Sequence, residues 1–94
     1  MIPENRTPTH PGEILLKEFL KPKQMTQVQL AKLMRVPIQR INTLICGKRG
    51  VSPETAILLS QIFDTTPAFW MNAQVTYDLY FAAMKMKAKS SRAA

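Results

Sequence analysis

Apolar residues recur along this 94-residue chain at helical spacing, in five runs separated by prolines, glycines and capping residues. After an extended arm at 1–8, the first run starts near Pro11, which suits a first helical position. It places Ile14, Leu15, Phe19 and Leu20 on one stripe, with Glu13 in the first turn to complement the helix dipole and Pro22 as a stop. The second run has the strongest start signal. Thr26 and Gln29 form a T-x-x-Q capping box, Met25 is placed to staple onto Leu30, and Leu30, Ala31 and Met34 face inward. Arg35-Val36 is a tight turn, and Pro37 is expected at the first position of a third helix. That helix buries Ile41, Leu44 and Ile45, exposes Gln39, Arg40, Asn42 and Thr43, and ends at Gly47.

Ser52 and Pro53 cap and open a fourth helix, with Glu54 in its first turn and Ala56, Leu59, Ile62 and Phe63 toward the core. Thr66-Pro67 repeats the signal for a fifth helix that runs to the mid-80s and carries Phe69, Trp70, Ala73, Tyr77, Tyr80, Phe81 and Met84. The pattern predicts one all-α domain without internal repeats: the arm at 1–8, a helical body at 9–86 and a frayed basic tail at 87–94. Composition agrees, with 46% hydrophobic residues, three glycines and seven prolines that fall mostly at segment joints, the punctuation of helices and not of a β-sandwich.

Charge changes the picture more than composition does. The net charge is +7, distributed as +1 over residues 1–24, +5 over 25–50, −3 over 51–80 and +4 over 81–94. The second and third helices with their connections hold Lys32, Arg35, Arg40, Lys48 and Arg49 and no acidic residue. A one-signed pair of short helices joined by a tight turn points to a polyanion, and its geometry points to DNA bound by a helix-turn-helix.

Base edges in a major groove are read from the N-terminal half of such a helix, where Gln39 stands; its amide both donates and accepts, as pairing to adenine requires. Ile38 is either an apolar contact for a thymine methyl or a core residue. Asn42 or Thr43, one turn on, reaches a second base step. Gln27 opens the second helix, where free N–H groups favour a phosphate. Arg35, Arg40, Lys48 and Arg49 are the natural phosphate contacts, although Lys48 and Arg49 could instead satisfy helix-end carbonyls.

Other chemistries find little support. One cysteine, Cys46, excludes an intrachain disulfide and a cysteine-based zinc site, and it reads as a small space-filler ahead of a redox switch. His10, the one histidine, reads as a helix-start residue. With no second histidine, no Cys–His pair and no phosphate-cradling glycine loop, neither an enzyme nor a cofactor or metal is expected. No apolar run is long enough to span a membrane, and the N-terminus, with Glu4 and prolines, lacks the pattern of a secretory signal, so a cytoplasmic protein is expected. Met84 and Met86 beside Lys85, Lys87 and Lys89 read as a solvated helix end ahead of a membrane-surface motif.

The segment Thr26-Gln27, Leu30-Ala31, Met34, Val36, Ile41, Leu44 and Gly47-Lys48-Arg49 resembles the XRE family of lambda-repressor-like helix-turn-helix domains. The flanks narrow the resemblance. His10-Pro11-Gly12-Glu13-Ile14-Leu15, Phe19-Leu20-Lys21-Pro22, Gly50-Val51-Ser52-Pro53 and Phe69-Trp70 followed by Gln74 and Tyr77-Asp78-Leu79 are similar to HigA-type antitoxins, over about residues 9–80. The resemblance implies a five-helix domain with the helix-turn-helix at about 26–46, forming a homodimer on a palindromic operator in its own promoter. It also implies neutralisation of a partner toxin, a small ribosome-dependent mRNA endonuclease. By position, the family's DNA-reading slots fall on Gln27, Pro37, Ile38, Gln39 and Thr43.

Three positions depart from the family pattern: Arg35 replaces the usual glycine, Pro37 the usual Ser or Thr, and Cys46 a polar residue. A left-handed Arg35 would cost about 1 kcal/mol. Trp70, Gln74, Tyr77 and Phe81 fall along the fifth helix as core positions, a dimer seam or a toxin contact. Two other functions remain: a solitary XRE-type regulator without a toxin, and an interaction module whose 51–80 segment binds protein while its basic unit binds nucleic acid without specificity.

Overall fold

The computed structural model describes residues 7–93, so the arm at 1–8 lies mostly outside the described residues. Five helices follow one another. Helix α1 is an α turn at Pro11–Ile14 that continues as wider π winding at Leu15–Leu20; α2 is Gln27–Met34, α3 Ile38–Ile45, α4 Pro53–Phe63 and α5 Pro67–Ala93. Four of the five starts, all but that of α3, are fixed by a local side-chain bond that the sequence supplies. The Gly12 N–H donates to His10 Nδ1 at 2.9 Å. Gln29 N–H donates to Thr26 Oγ1 at 3.1 Å while Thr26 N–H donates to Gln29 Oε1 at 2.9 Å, completing the capping box. Thr55 N–H donates to Ser52 Oγ, and Phe69 N–H to Thr66 Oγ1.

The helix ends are equally local. Arg35 ends α2 in the left-handed conformation, at φ 57° and ψ 44°, and Asp64 ends α4 at φ 54° and ψ 44°. Gly47 follows α3 at φ 78°, with its N–H bonded to the Leu44 carbonyl and the Lys48 N–H bonded to that of Thr43. These two crossed bonds satisfy carbonyls that a helix end otherwise leaves bare.

Two boundaries differ from the expectation. Pro37 is the N-cap of α3, not its first residue: its ψ of 147° keeps it extended, and its carbonyl takes the Arg40 N–H. Pro37 thus contributes an acceptor to the first turn instead of standing inside it. The basic stretch from 87 onward is not a separate tail either, because α5 continues to Ala93. No Gly or Pro interrupts it, Lys and Ala propagate helix well, and cations near a helix C-terminus are favoured by the dipole.

The core holds Leu15, Leu20, Leu30, Ala31, Met34, Ile41, Leu44, Val51, Ala56, Leu59, Phe63 and Trp70. Every helix contributes, and Ile14, Phe19, Met25, Ile45 and Ile62 pack against its edge. The close approach of α1 to α3 is the tightest constraint. A Cβ built on Gly12 would run into the Leu44 carbonyl, lying 2.6 Å from its carbon and 3.0 Å from Ile45 Cα. Only a glycine lets the two backbones meet there.

Two predictions follow from these contacts. Gly12→Ala should destabilise the fold by about 1–3 kcal/mol, the usual penalty of overpacking, read as a lower thermal midpoint. His10 carries the second. Burial pushes its imidazole below the ordinary histidine range, with Asp78 and Glu13 opposing that shift and the Tyr77 ring packed against it at 4.8 Å. Protonation would also remove the Nδ1 acceptor for Gly12. Because the unfolded chain binds this proton more readily, the contribution of His10 is complete above about pH 6.5 and declines as pH falls below it. His10→Asn keeps a capping acceptor without titrating, so the gap between wild-type and variant midpoints should change across that window; a constant gap would refute the linkage.

Candidate nucleic-acid interface

The helix-turn-helix is α2, the Arg35–Pro37 turn and α3. Leu30, Ala31 and Met34 on α2 and Ile41 and Leu44 on α3 are buried against each other and the core, which fixes the outward face of α3. Gln39 lies exposed in the first turn of that face. Thr43 sits one turn on, half-buried, with its hydroxyl donating to the Gln39 carbonyl at 2.8 Å. Pro37, Gln39, Arg40, Thr43 and Arg49 together line one shallow concavity of about 310 Å³. Five of the ten interface residues expected from the sequence therefore meet there, from the turn, the helix and the loop beyond it.

The start of α3 has no side-chain cap. The Arg40 N–H is taken by the Pro37 carbonyl, the Ile38 and Gln39 N–H groups have no side-chain acceptor, and Arg35 in the preceding turn is exposed. Lys48 and Arg49 are exposed at the other end, where their backbone N–H groups bond to the Thr43 carbonyl and their side chains extend beyond the helix. Among the described residues, none of Arg35, Lys48 and Arg49 joins an ion pair. Ile38 is 40% exposed, so its side chain belongs to the surface more than to the core.

Arg40 differs from its neighbours. It was expected as a free phosphate contact, but its side chain is only 28% exposed and its Nη2 lies 3.4 Å from both Glu54 Oε1 and Thr55 Oγ1. The position after Gln39 on the wheel turns it toward α4, whose first turn supplies an anion. Asn42, expected to reach a base, donates from Nδ2 to Gln27 Oε1 at 3.3 Å. That bond ties the start of α2 to the middle of α3 and leaves the Gln27 amide nitrogen available to an acceptor. Neither Glu54 nor the Gln27–Asn42 pair was signalled by the sequence: their separations of 14 and 15 residues have meaning only once α3 crosses its neighbours.

The α5 residues divide as well. Trp70 is fully buried, flanked by Phe19 and Phe69, with its Nε1–H donating to Thr65 Oγ1 at 2.8 Å. Gln74 is buried too: its Oε1 accepts from the Val51 N–H at 2.8 Å, and its amide donates to Asp78 at 2.9 Å. Both therefore build the monomer core and offer no surface to a partner. Tyr77 is half-buried against His10, and Phe81 is 43% exposed beside Met84. No described helix is long and apolar enough to cross a membrane.

The comparisons with known proteins fit this geometry. Residues 16–70 match the helix-turn-helix family HTH_3. The HTH-type transcriptional regulator YbaQ of Escherichia coli is 39% identical over 87% of this chain and 73% of its own length. Antitoxin HigA-1 of Vibrio cholerae is also 39% identical, over 80% of this chain and 70% of its own. The antitoxin HigA of Pseudomonas aeruginosa, solved with the higBA promoter, superposes with a TM-score of 0.84 at 36% identity, covering 90% of this chain and 92% of that one. Motif, fold and relatives agree, and the chain belongs to the XRE-like helix-turn-helix family that includes the HigA-type antitoxins.

Proposed function

We propose that this chain is a sequence-specific DNA-binding antitoxin of a type II toxin–antitoxin pair. It neutralises a ribosome-dependent mRNA endonuclease and represses its own operon as a homodimer on a palindromic operator. The observation that carries the DNA part is the single concavity shared by Gln39, Thr43 and Arg49, with the uncapped start of α3 and Arg35 at one end and Lys48 at the other. The Gln39 amide and the unpaired Arg49 share one depression, and two further exposed cations stand in the turn before α3 and the loop after it, an arrangement a major groove accepts. The likeness to an antitoxin solved with its promoter, over 90% of this chain, supports the same role.

The mechanism is occupancy. Two copies of α3 about 34 Å apart enter successive major grooves and block polymerase, and dimerisation enlarges the small footprint of one module. The partner surface excludes Trp70 and Gln74 and retains Tyr77, Phe81 and the exposed Val75, Leu79, Met84 and Met86 of α5. A solitary regulator without a toxin is the second reading, favoured by the naming of the Escherichia coli relative as a transcriptional regulator.

Two experiments test this. On a duplex taken from immediately upstream of the coding sequence, Gln39→Ala should weaken binding by about 1–3 kcal/mol and relax preference at one base pair. Arg49→Ala should instead weaken all duplexes alike and flatten the salt dependence by about 0.9. Unchanged discrimination in Gln39→Ala would remove its base-reading role. For the antitoxin function, expression of the adjacent reading frame should arrest growth and co-expression of this chain should restore it; arrest without rescue favours the solitary regulator.

A further inference from the structure

Of the cations around the DNA-facing concavity, one is held by an acid. Arg40 lines the same depression as Gln39 and Arg49, yet its guanidinium turns toward the start of α4, where Nη2 reaches Glu54 Oε1 and Thr55 Oγ1, each at 3.4 Å. Its Nε is shielded from solvent and has no hydrogen-bond partner. Glu54 itself is 72% exposed. The two α4 residues occupy the second and third positions of the helix, at the positive end of its dipole. A cation is disfavoured there, and the Glu54 carboxylate offsets that repulsion.

We propose that Glu54 limits the sequence-independent affinity for DNA by acting through Arg40: it holds this arginine on α4 and withholds one cation from the phosphate backbone. This rests on the DNA-binding reading above. Non-specific affinity comes from counterions released by phosphate contacts, so each withheld cation lowers binding to every sequence alike. Base contacts made by Gln39 are untouched. Operator and non-specific affinities therefore fall together, and what Glu54 sets is the strength and salt dependence of binding. With Glu54 neutral, the start of α4 repels the guanidinium, and a phosphate lying on the concavity is the anion nearest to it. Glu54 is thus the positioning residue and Arg40 holds a charge in reserve, while Arg35, Lys48 and Arg49 supply the phosphate contacts.

The salt dependence of binding separates this from a merely structural pair. Affinities of the purified full chain for a mixed-sequence duplex of about 30 base pairs, roughly three helical turns, are measured by fluorescence anisotropy between about 50 and 200 mM salt. Glu54→Gln should steepen the slope of log K against log salt by about 0.9, a further three- to four-fold change in affinity across that range. Arg40→Ala alone should leave the slope at the wild-type value, and so should the double variant. Arg40→Gln repeats the test with a longer side chain, and circular dichroism melting confirms that each variant is folded. A slope flattened by about 0.9 in Arg40→Ala alone would show that Arg40 already contacts phosphate and overturn the proposal. So would an unchanged slope in Glu54→Gln, or a steepening that persists without Arg40, which would mean that Glu54 acts on the DNA directly. A wild-type chain that binds no duplex at all would instead overturn the DNA-binding reading, and this inference with it.

Discussion

The backbone of α1 touches the backbone of α3 at Gly12, and the placement of the recognition helix depends on that contact. Leu44 is buried on α3, and its carbonyl occupies the space where any other residue at position 12 would carry a Cβ. The neighbouring bonds preserve the approach. His10 caps the turn that carries Gly12, and the Tyr77 ring packs against His10 edge-on. Helix α3 is therefore seated from behind by main chain, which offers no rotamer freedom. A side chain filling the same space could hop between rotamers and let α3 tilt; a carbonyl against a glycine cannot.

A second fixture acts at the other end of α3. The Lys48–Val51 loop carries the cations that follow Gly47, and its Val51 N–H is bonded to the buried Gln74 of α5. Asp78 receives the remaining amide of Gln74, so one side chain secures the loop and is itself secured. A buried amide satisfied on both of its groups gives a rigid attachment, whereas one left half-satisfied would be a liability. The interface is thus held in three places: by Gly12 behind α3, by Gln74 beneath its exit, and by the Gln27–Asn42 bond across its front.

Much of this could be read from sequence because it is local. The Thr26–Gln29 box, Ser52 and Thr66 as caps, and Gly47 as a helix end all act within a few residues. The left-handed Arg35 was also legible, because the family pattern places glycine there. What the sequence did not reveal depends on elements crossing. Arg40 looks like its basic neighbours until α4 places Glu54 against it, and Asn42 looks like a base reader until Gln27 comes within 3.3 Å. Trp70 and Gln74 were ambiguous for a related reason. A long helix has several faces, and spacing alone does not say which of them the core covers; the acceptor Thr65 and the donor Val51 decide it. Pro37 was misplaced by one position because proline has the same φ inside a helix and at its threshold, and only ψ distinguishes the two.

Gln24, in the turn after α1, and Arg35 and Asp64, at the ends of α2 and α4, each have a positive φ that glycine adopts without strain. Strain of about 1 kcal/mol at such a corner is partly offset because a residue with a side chain has fewer unfolded conformations to lose than glycine, and Asp64 tolerates this region better than most. Where opening is fast, cleavage follows the population of the opened form, so the net balance at these corners enters directly into how often a protease meets a susceptible chain. The turns that shape this domain thus also govern how long a copy lasts in the presence of a protease.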